Sequence, residues 1–166
     1  AALADAYAAE GVTLILTGRD LDRLDQVADH CRQAGATVRH ATIDVTEAEF
    51  MTRWLHQVDD ATPIALAMAN AGISGGTGGT VSGESAEQAR RIFATNLDGV
   101  VNTVLPLAER MAERAQRRRQ AAEGAETEGK APPTGPVGQI AIISSLAGFR
   151  GLPGAPSYSG SKAAVR

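Results

Sequence analysis

Short, unbroken apolar runs alternate along this chain with longer amphipathic stretches, and no other feature constrains the fold as much. Val12–Thr17 (VTLILT), Val38–Val45, Ile64–Ala69 and Gln139–Ser144 are the short runs, rich in β-branched and small apolar residues. A strand covered on both faces needs no polar alternation, whereas a helix lying over it shows a single apolar stripe. Repetition of strand, helix and strand predicts βαβ units. The expected fold class is therefore α/β, a Rossmann-type doubly wound parallel sheet forming one domain over residues 1–166.

Boundary signals support the same reading. Asp20 is placed to cap a helix that runs to about Ala34, with Gly35 just past its end. Thr46 with Glu49, and Ser85 with Gln88, have capping-box spacing. The first pair opens a helix containing Phe50, Trp54 and Leu55, and the second a helix reaching about Asn96. From about Gly99 a long helix directs Val100, Val101, Val104, Leu105, Leu107, Ala108 and Met111 toward the core. Ser74–Gly83 is a loop rich in Gly, Ser and Thr. Residues 116–138 hold an Arg, Gln, Ala and Glu run and then three prolines, and this composition predicts a disordered insertion.

Composition narrows the function classes. The 166 residues are 43% hydrophobic with a formal net charge of -3, ordinary values for one domain with a core. No apolar run is long enough to span a bilayer, and the first residues lack signal-peptide order, so a cytoplasmic location is expected. A single cysteine, Cys31, leaves no internal disulfide and no cysteine-based metal cluster, and no metal site is expected. Basic residues concentrate at Arg114, Arg117, Arg118 and Arg119. No aromatic side chains interleave with them, so a solvated helix end is expected rather than a nucleic-acid surface.

In open α/β sheets ligands bind beyond the carboxyl ends of the strands. The polar residues in those positions are Arg19, Asp44, Asn70 and Ser145, with Asn96 and Tyr158 placed to join them. Tyr158 and Lys162 are four apart on a predicted helix and so share a face. A phenol is a poor acid or base at neutral pH, but a nearby ammonium stabilises phenolate and suits the pair to proton transfer. Taken alone, Tyr-x-x-x-Lys is common on exposed helices. Its setting is not: Ser144-Ser145 ends a buried strand, and Ser145 precedes Tyr158 by thirteen residues, across the loop GFRGLPGAP.

Ala69-Asn70-Ala71-Gly72, Thr95-Asn96-Leu97, Ile143-Ser144-Ser145-Leu146-Ala147-Gly148 and Tyr158-Ser159-Gly160-Ser161-Lys162-Ala163-Ala164-Val165 occur in this order. With these stretches the chain resembles the short-chain dehydrogenase/reductase family along its whole length. The resemblance implies an NAD(P)(H)-dependent oxidoreductase that moves a hydride between nicotinamide and a carbonyl or secondary alcohol. Tyr158 would be the general acid or base, and Ser145 would orient the substrate oxygen. Lys162 would hold the nicotinamide ribose, and Asn96 would anchor a proton-relay water. Asp44-Val45 would hold the adenine, and Asn70, Ala71 and Gly72 would line the ribose.

Gly18-Arg19 places a guanidinium where an acidic residue would repel a 2′-phosphate, so NADP(H) is the preferred cofactor and NAD(H) the alternative. The expected partners are a small-molecule carbonyl or alcohol and further copies of the chain, as a dimer or tetramer, with no nucleic acid and no membrane span. The competing function is a non-catalytic NADP(H)-binding sensor or scaffold. The family's glycine-rich turn TGxxxGxG has no counterpart after Ala1. The chain is therefore expected to be truncated at both ends, without the first strand and the C-terminal strands.

Overall fold

The computed structural model describes residues 1–75, 84–127, 130–131, 133–134 and 137–166. Helix α1 (Ala2–Tyr7) leads to strand β1 (Thr13–Gly18), helix α2 (Leu21–Gln33) and strand β2 (Thr37–Thr42). Helix α3 (Ala48–Ala61) and strand β3 (Leu66–Ala69) follow. Helix α4 (Ala86–Phe93), a π-helical segment (Ala94–Asp98) and helix α5 (Gly99–Thr127) make one continuous helical run. Strand β4 (Gln139–Ile142), a 3-10 turn (Leu146–Gly148) and helix α6 (Pro156–Ala164) complete the chain.

The class is α/β with parallel strands, as expected, but only part of a sheet is present. β1 pairs with β2 from Thr13↔Thr37 to Gly18↔Thr42, and β3 pairs with β4 from Leu66↔Gln139 to Ala69↔Ile142. Among the described residues these are two separate two-stranded sheets. In the doubly wound order 3-2-1-4-5 another strand stands between the counterparts of β1 and β3. The two pairs accordingly make no ladder with each other.

The core lies between β3 and the helices that cover it. Met51, Leu55, Ala67, Leu107 and Met111 form the buried cluster, with Ile43, Val45, Trp54, Ile64 and Ile140 packed on it. On the other pair, α2 buries Leu24, Ala28 and Cys31. Burial pushes the Cys31 thiol up, and Asp5 adds to this, so the residue behaves as a small core side chain.

Helix ends follow the sequence in two of three cases. Asp20 caps α2 by accepting from the Arg23 amide at 3.0 Å, and Gly35 takes the left-handed conformation just past the helix (φ 93°). Ser85 caps α4 through the Gln88 amide at 3.1 Å. The Thr46–Glu49 box does not form. Thr46 turns back instead, donating its amide (3.0 Å) and hydroxyl (2.9 Å) to Asp44 Oδ1, and α3 starts at Ala48 without a side-chain cap.

Two further expectations change. Val101 and Leu105 are exposed at 42% and 55%, because the core meets the α5 face that carries Val100, Leu107 and Met111. The expected insertion at 116–138 is helical as far as Thr127. Its Ala, Arg, Gln and Glu residues build no core, but they are good helix formers, and Arg117 pairs with Glu113 one turn earlier at 3.6 Å. Residues 128, 129, 132, 135 and 136 of that segment lie outside the described residues, as do residues 76–83 of the expected Ser74–Gly83 loop.

Candidate active site at the strand ends

Contacts near the start of α5 show that the carboxyl ends of β2 and β3 lie at one end of the molecule. Gly99 sits so close to Val45, after β2, that a methyl group there would come within 2.5 Å of Val45 Cγ2. Asn102 also donates to the Val45 carbonyl at 2.9 Å. Three residues before Gly99, Asn96 reaches the segment after β3, donating to the Ile73 carbonyl at 2.9 Å and accepting from the Ile73 amide at 2.7 Å.

Asn96 owes its position to the π segment. A π turn holds one residue more than an α turn and re-aims the side chains that follow. Here it directs the amide into the interior, where Asn96 is fully buried. Its remaining N–H donates to Ser161 Oγ at 3.0 Å, and Ser161 donates to the Tyr158 carbonyl at 2.8 Å. All the main hydrogen-bonding capacity of this amide is used, as burial demands. One side chain thus ties the end of β3, the helical run and α6 together.

Lys162, only 4% exposed, lies against this group. Its ammonium donates to the Ile143 carbonyl at 2.8 Å, just past β4. Among the described residues it has no carboxylate partner. Burying an ammonium against a single carbonyl acceptor is costly, which marks Lys162 as a candidate functional group. A Cβ added at Gly72 would stand 3.3 Å from both Lys162 Nζ and Asn96 Oδ1. Glycine is therefore what allows the backbone after β3 to approach both groups.

Tyr158 is half-buried one turn before Lys162 on α6, and its hydroxyl makes no hydrogen bond with the described residues. Ser145, half-buried, follows β4 and accepts from the Ala147 amide at 3.2 Å. Its neighbour Ser144 donates to the Lys162 carbonyl at 2.7 Å. Ser161 thus ties Asn96 to the Tyr158 backbone, and Ser144, next to Ser145, ties the end of β4 to the Lys162 backbone. Asn70, Ala71 and Gly72 are exposed immediately after β3.

The other cofactor-binding candidates stand apart, at the ends of β1 and β2. Arg19, 58% exposed, faces Asp44 at 3.7 Å. The Thr46 amide holds the Asp44 carboxyl below the ordinary carboxylate range against partial burial, with the Thr46 hydroxyl and Arg19 adding to it. Val45 is half-buried against the core. A cleft of about 500 Å³ lined by Ile64, Arg114, Arg118 and Val137 opens at the start of β3, the opposite end, and is not part of this site.

Sequence reading missed the supports: Ser161, Ser144, the Ile73 backbone and Thr46. Ser161 lies inside the Tyr158–Val165 stretch, but nothing in its spacing shows that it bonds a residue 65 positions away. The described residues contain no group of His, Cys, Asp and Glu arranged to hold a metal. They also contain no helix long and apolar enough to cross a membrane.

Comparison with known proteins gives the site its context. The family model for short chain dehydrogenases matches residues 1–119. That stretch ends before Ser145, Tyr158 and Lys162, which rest on motif and geometry. An uncharacterized oxidoreductase of Myxococcus xanthus is 33% identical over 110 residues, covering 64% of this chain and 42% of that protein. Among solved structures, a short-chain type dehydrogenase/reductase from Mycobacterium marinum superposes with a TM-score of 0.73 at 26% identity, over 98% of this chain and 58% of its own. An alcohol dehydrogenase from the archaeon Thermococcus sibiricus, complexed with 5-hydroxy-NADP, gives 0.72 at 23%, over 99% of this chain and 60% of its own. The chain spans well under two thirds of the length of each of these relatives.

Proposed function

This chain belongs to the short-chain dehydrogenase family, and we propose that its protein reduces a carbonyl, or oxidises the corresponding secondary alcohol, with a nicotinamide cofactor and Tyr158 as the proton-transfer group. The observation that carries this reading is the buried Lys162 ammonium, one helical turn from the Tyr158 hydroxyl and beside Asn96 and Gly72. An ammonium in that place stabilises negative charge on a phenolic oxygen and on an oxygen developing in the substrate.

The residues present fit a nicotinamide dinucleotide. A Cβ at Gly72 would crowd Lys162 Nζ and Asn96 Oδ1 at 3.3 Å, so glycine eases the close approach of backbone there, and Arg19 offers a guanidinium after β1. Lys162 and Tyr158 would hold the nicotinamide ribose, Asn70, Ala71 and Gly72 the adjoining sugar, and Asp44 with Val45 the adenine. Arg19 would take a 2′-phosphate, which makes NADP(H) the preferred form over NAD(H). When bound, the cofactor would supply the hydride in reduction and accept it in oxidation.

The chain's own groups then handle the proton and the geometry. Tyr158 gives its hydroxyl proton to the carbonyl oxygen in reduction, or takes one from the alcohol in oxidation. Ser145 donates a hydrogen bond to the same oxygen and fixes its distance from the phenol. Lys162, four residues on along the same helix, would support charge developing on the phenolic oxygen. Asn96, with its side chain committed to Ile73 and Ser161, would offer backbone at the π segment to a water that carries the proton from solvent to Tyr158 in reduction and back to solvent in oxidation. The exposed pair Val101 and Leu105, one turn apart on α5, is where copies of the chain would meet in a homo-oligomer. A cytoplasmic location belongs to the same proposal.

The test is Tyr158→Phe in the intact protein, assayed by NADPH absorbance against a panel of aldehydes and ketones. Turnover should fall by about 10²–10⁴-fold, the usual contribution of a positioned acid or base. Unchanged turnover would remove Tyr158 from the mechanism. Cofactor binding without turnover on any carbonyl or alcohol would favour the sensor.

A further inference from the structure

The N-terminus of α6 is held by a residue that no motif includes. This helix begins at Pro156, and its N-cap, Ala155, offers no side-chain acceptor. Pro156 has no N–H, and the Ser159 amide already bonds the Ala155 carbonyl at 3.0 Å. The first-turn donors left over are the amides of Ser157 and Tyr158. Glu84, 73 residues away in sequence and just before α4, reaches across with Oε2 and accepts from the Ser157 amide at 2.8 Å. Its other oxygen, Oε1, is buried and has no partner among the described residues. An acidic side chain at a helix N-terminus is favoured both by the unpaired amides and by the helix dipole.

We propose that Glu84 is a positioning residue for Tyr158, capping α6 from another part of the chain so that the tyrosine ring is set before substrate arrives. The neighbouring residue Ser85 caps α4. Two consecutive residues therefore fix the starts of the two helices that pack together here. Further along, Asn96 pins α6 a second time through Ser161. Tyr158 lies between the anchors at Ser157 and Ser161, so the direction of its side chain follows from both. Without Glu84 the first turn, which contains Tyr158, would keep the bond from the Leu152 amide to the Ser159 hydroxyl (3.0 Å) but lose the acceptor at Ser157.

The inference rests on reading Tyr158 as the proton-transfer group, but its main test does not require turnover. Tyr7 and Tyr158 are the tyrosines of this chain. In the intact protein labelled with ¹³Cζ-tyrosine, Tyr158→Phe identifies the Tyr158 signal and Tyr7 serves as internal reference. Glu84→Ala should shift or broaden the Tyr158 signal and leave that of Tyr7 in place. Glu84→Gln, which keeps an acceptor for the Ser157 amide, should restore the original position. Asp20→Ala removes an equivalent cap from α2 and should leave the Tyr158 signal where it was.

With NADPH and an accepted carbonyl, Glu84→Ala should lower kcat by about 10- to 100-fold at unchanged KM, the usual effect of a misplaced reacting group. The proposal is overturned if Glu84→Ala leaves the Tyr158 signal unmoved, if Glu84→Gln behaves like Ala, or if Asp20→Ala has the same effect. Loss of the carbonyl-reduction reading itself would appear differently. Tyr158→Phe would keep full turnover while the signal shift in Glu84→Ala persisted.

Discussion

The two strand pairs end in polar groups of opposite character. After β1 and β2, Arg19 and Asp44 face each other at 3.7 Å, and Arg19 is mostly in solvent. After β3 and β4, Asn96 and Lys162 are buried and their bonds run to backbone carbonyls, a backbone amide and a buried serine. Exposed pairs contribute little to stability and rearrange cheaply, whereas buried groups that lose a partner are expensive. The first arrangement suits recognition of a charged ligand that must displace a weak internal contact. The second suits chemistry that needs atoms held before the ligand comes.

Breaking the buried end should have the largest effect. Lys162→Met should reduce turnover by about 10²–10⁴-fold, because the ammonium supports the proton transfer. It should not lower the thermal midpoint, since an apolar side chain replaces a buried charge held by one carbonyl. A variant with normal turnover would break the contrast between the two ends.

Next comes Asp59, at the opposite end of β3. It is 2% exposed and accepts from Arg110 (2.6 Å), Arg114 (2.6 Å) and the Ile64 amide (2.8 Å). Asp59→Ala should cost about 3 kcal/mol in denaturant unfolding, at the lower end for breaking a buried pair because both arginines are partly exposed. Burial alone would raise the Asp59 carboxyl, but the Ile64 amide and both arginines together hold it below the ordinary range. Its contribution is therefore complete above the unfolded carboxylate pKa and is lost as pH falls through the lower folded value. Acid titration of the unfolding midpoint should show a larger drop below about pH 4 in the wild type than in Asp59→Ala.

Asn96→Ala should cost about 2 kcal/mol, because it leaves the Ile73 amide and carbonyl and the Ser161 hydroxyl without their partner. Equilibrium unfolding measures this, and a cost below about 0.5 kcal/mol would mean that water replaces the amide freely.

The exposed end should give the smallest effects on stability and a selective effect on binding. Arg19→Ala should weaken NADPH by about tenfold, or about 1.4 kcal/mol, while leaving NADH and the thermal midpoint nearly unchanged. Equal weakening of both cofactors would show that Arg19 does not read the 2′-phosphate. Asp44, held below the ordinary carboxylate range by the Thr46 amide first, loses its contribution in the same acid window. Its exposure makes that loss small.

Much of this was legible from one dimension. Continuous apolar runs such as VTLILT placed β1 within one residue, and the Asp20 and Ser85 caps depend on residues three positions away. The capping box at Thr46 failed because an equally local competitor, Asp44 two residues earlier, took its amide and hydroxyl. The helix beyond Gln116 was misread because a composition that cannot form a core can still extend a helix already nucleated by packing. The candidate site was legible as residue types at strand ends, but its supports were not.

By itself, the sequence determined the α/β class, the approximate place of each strand (β2 ends three residues before the expected Val45), the caps at Asp20 and Ser85 and the Tyr158–Lys162 spacing. All of these depend on neighbours a few residues apart along the chain. Tertiary structure alone decided that, among the described residues, the strands form two separate pairs and Lys162 is buried without a carboxylate partner, and that Asn96 points inward to Ser161. It also decided that Glu84 caps a helix 73 residues away. Burial and long-range hydrogen bonds arise when segments meet in space, and one sequence records each partner without recording the meeting.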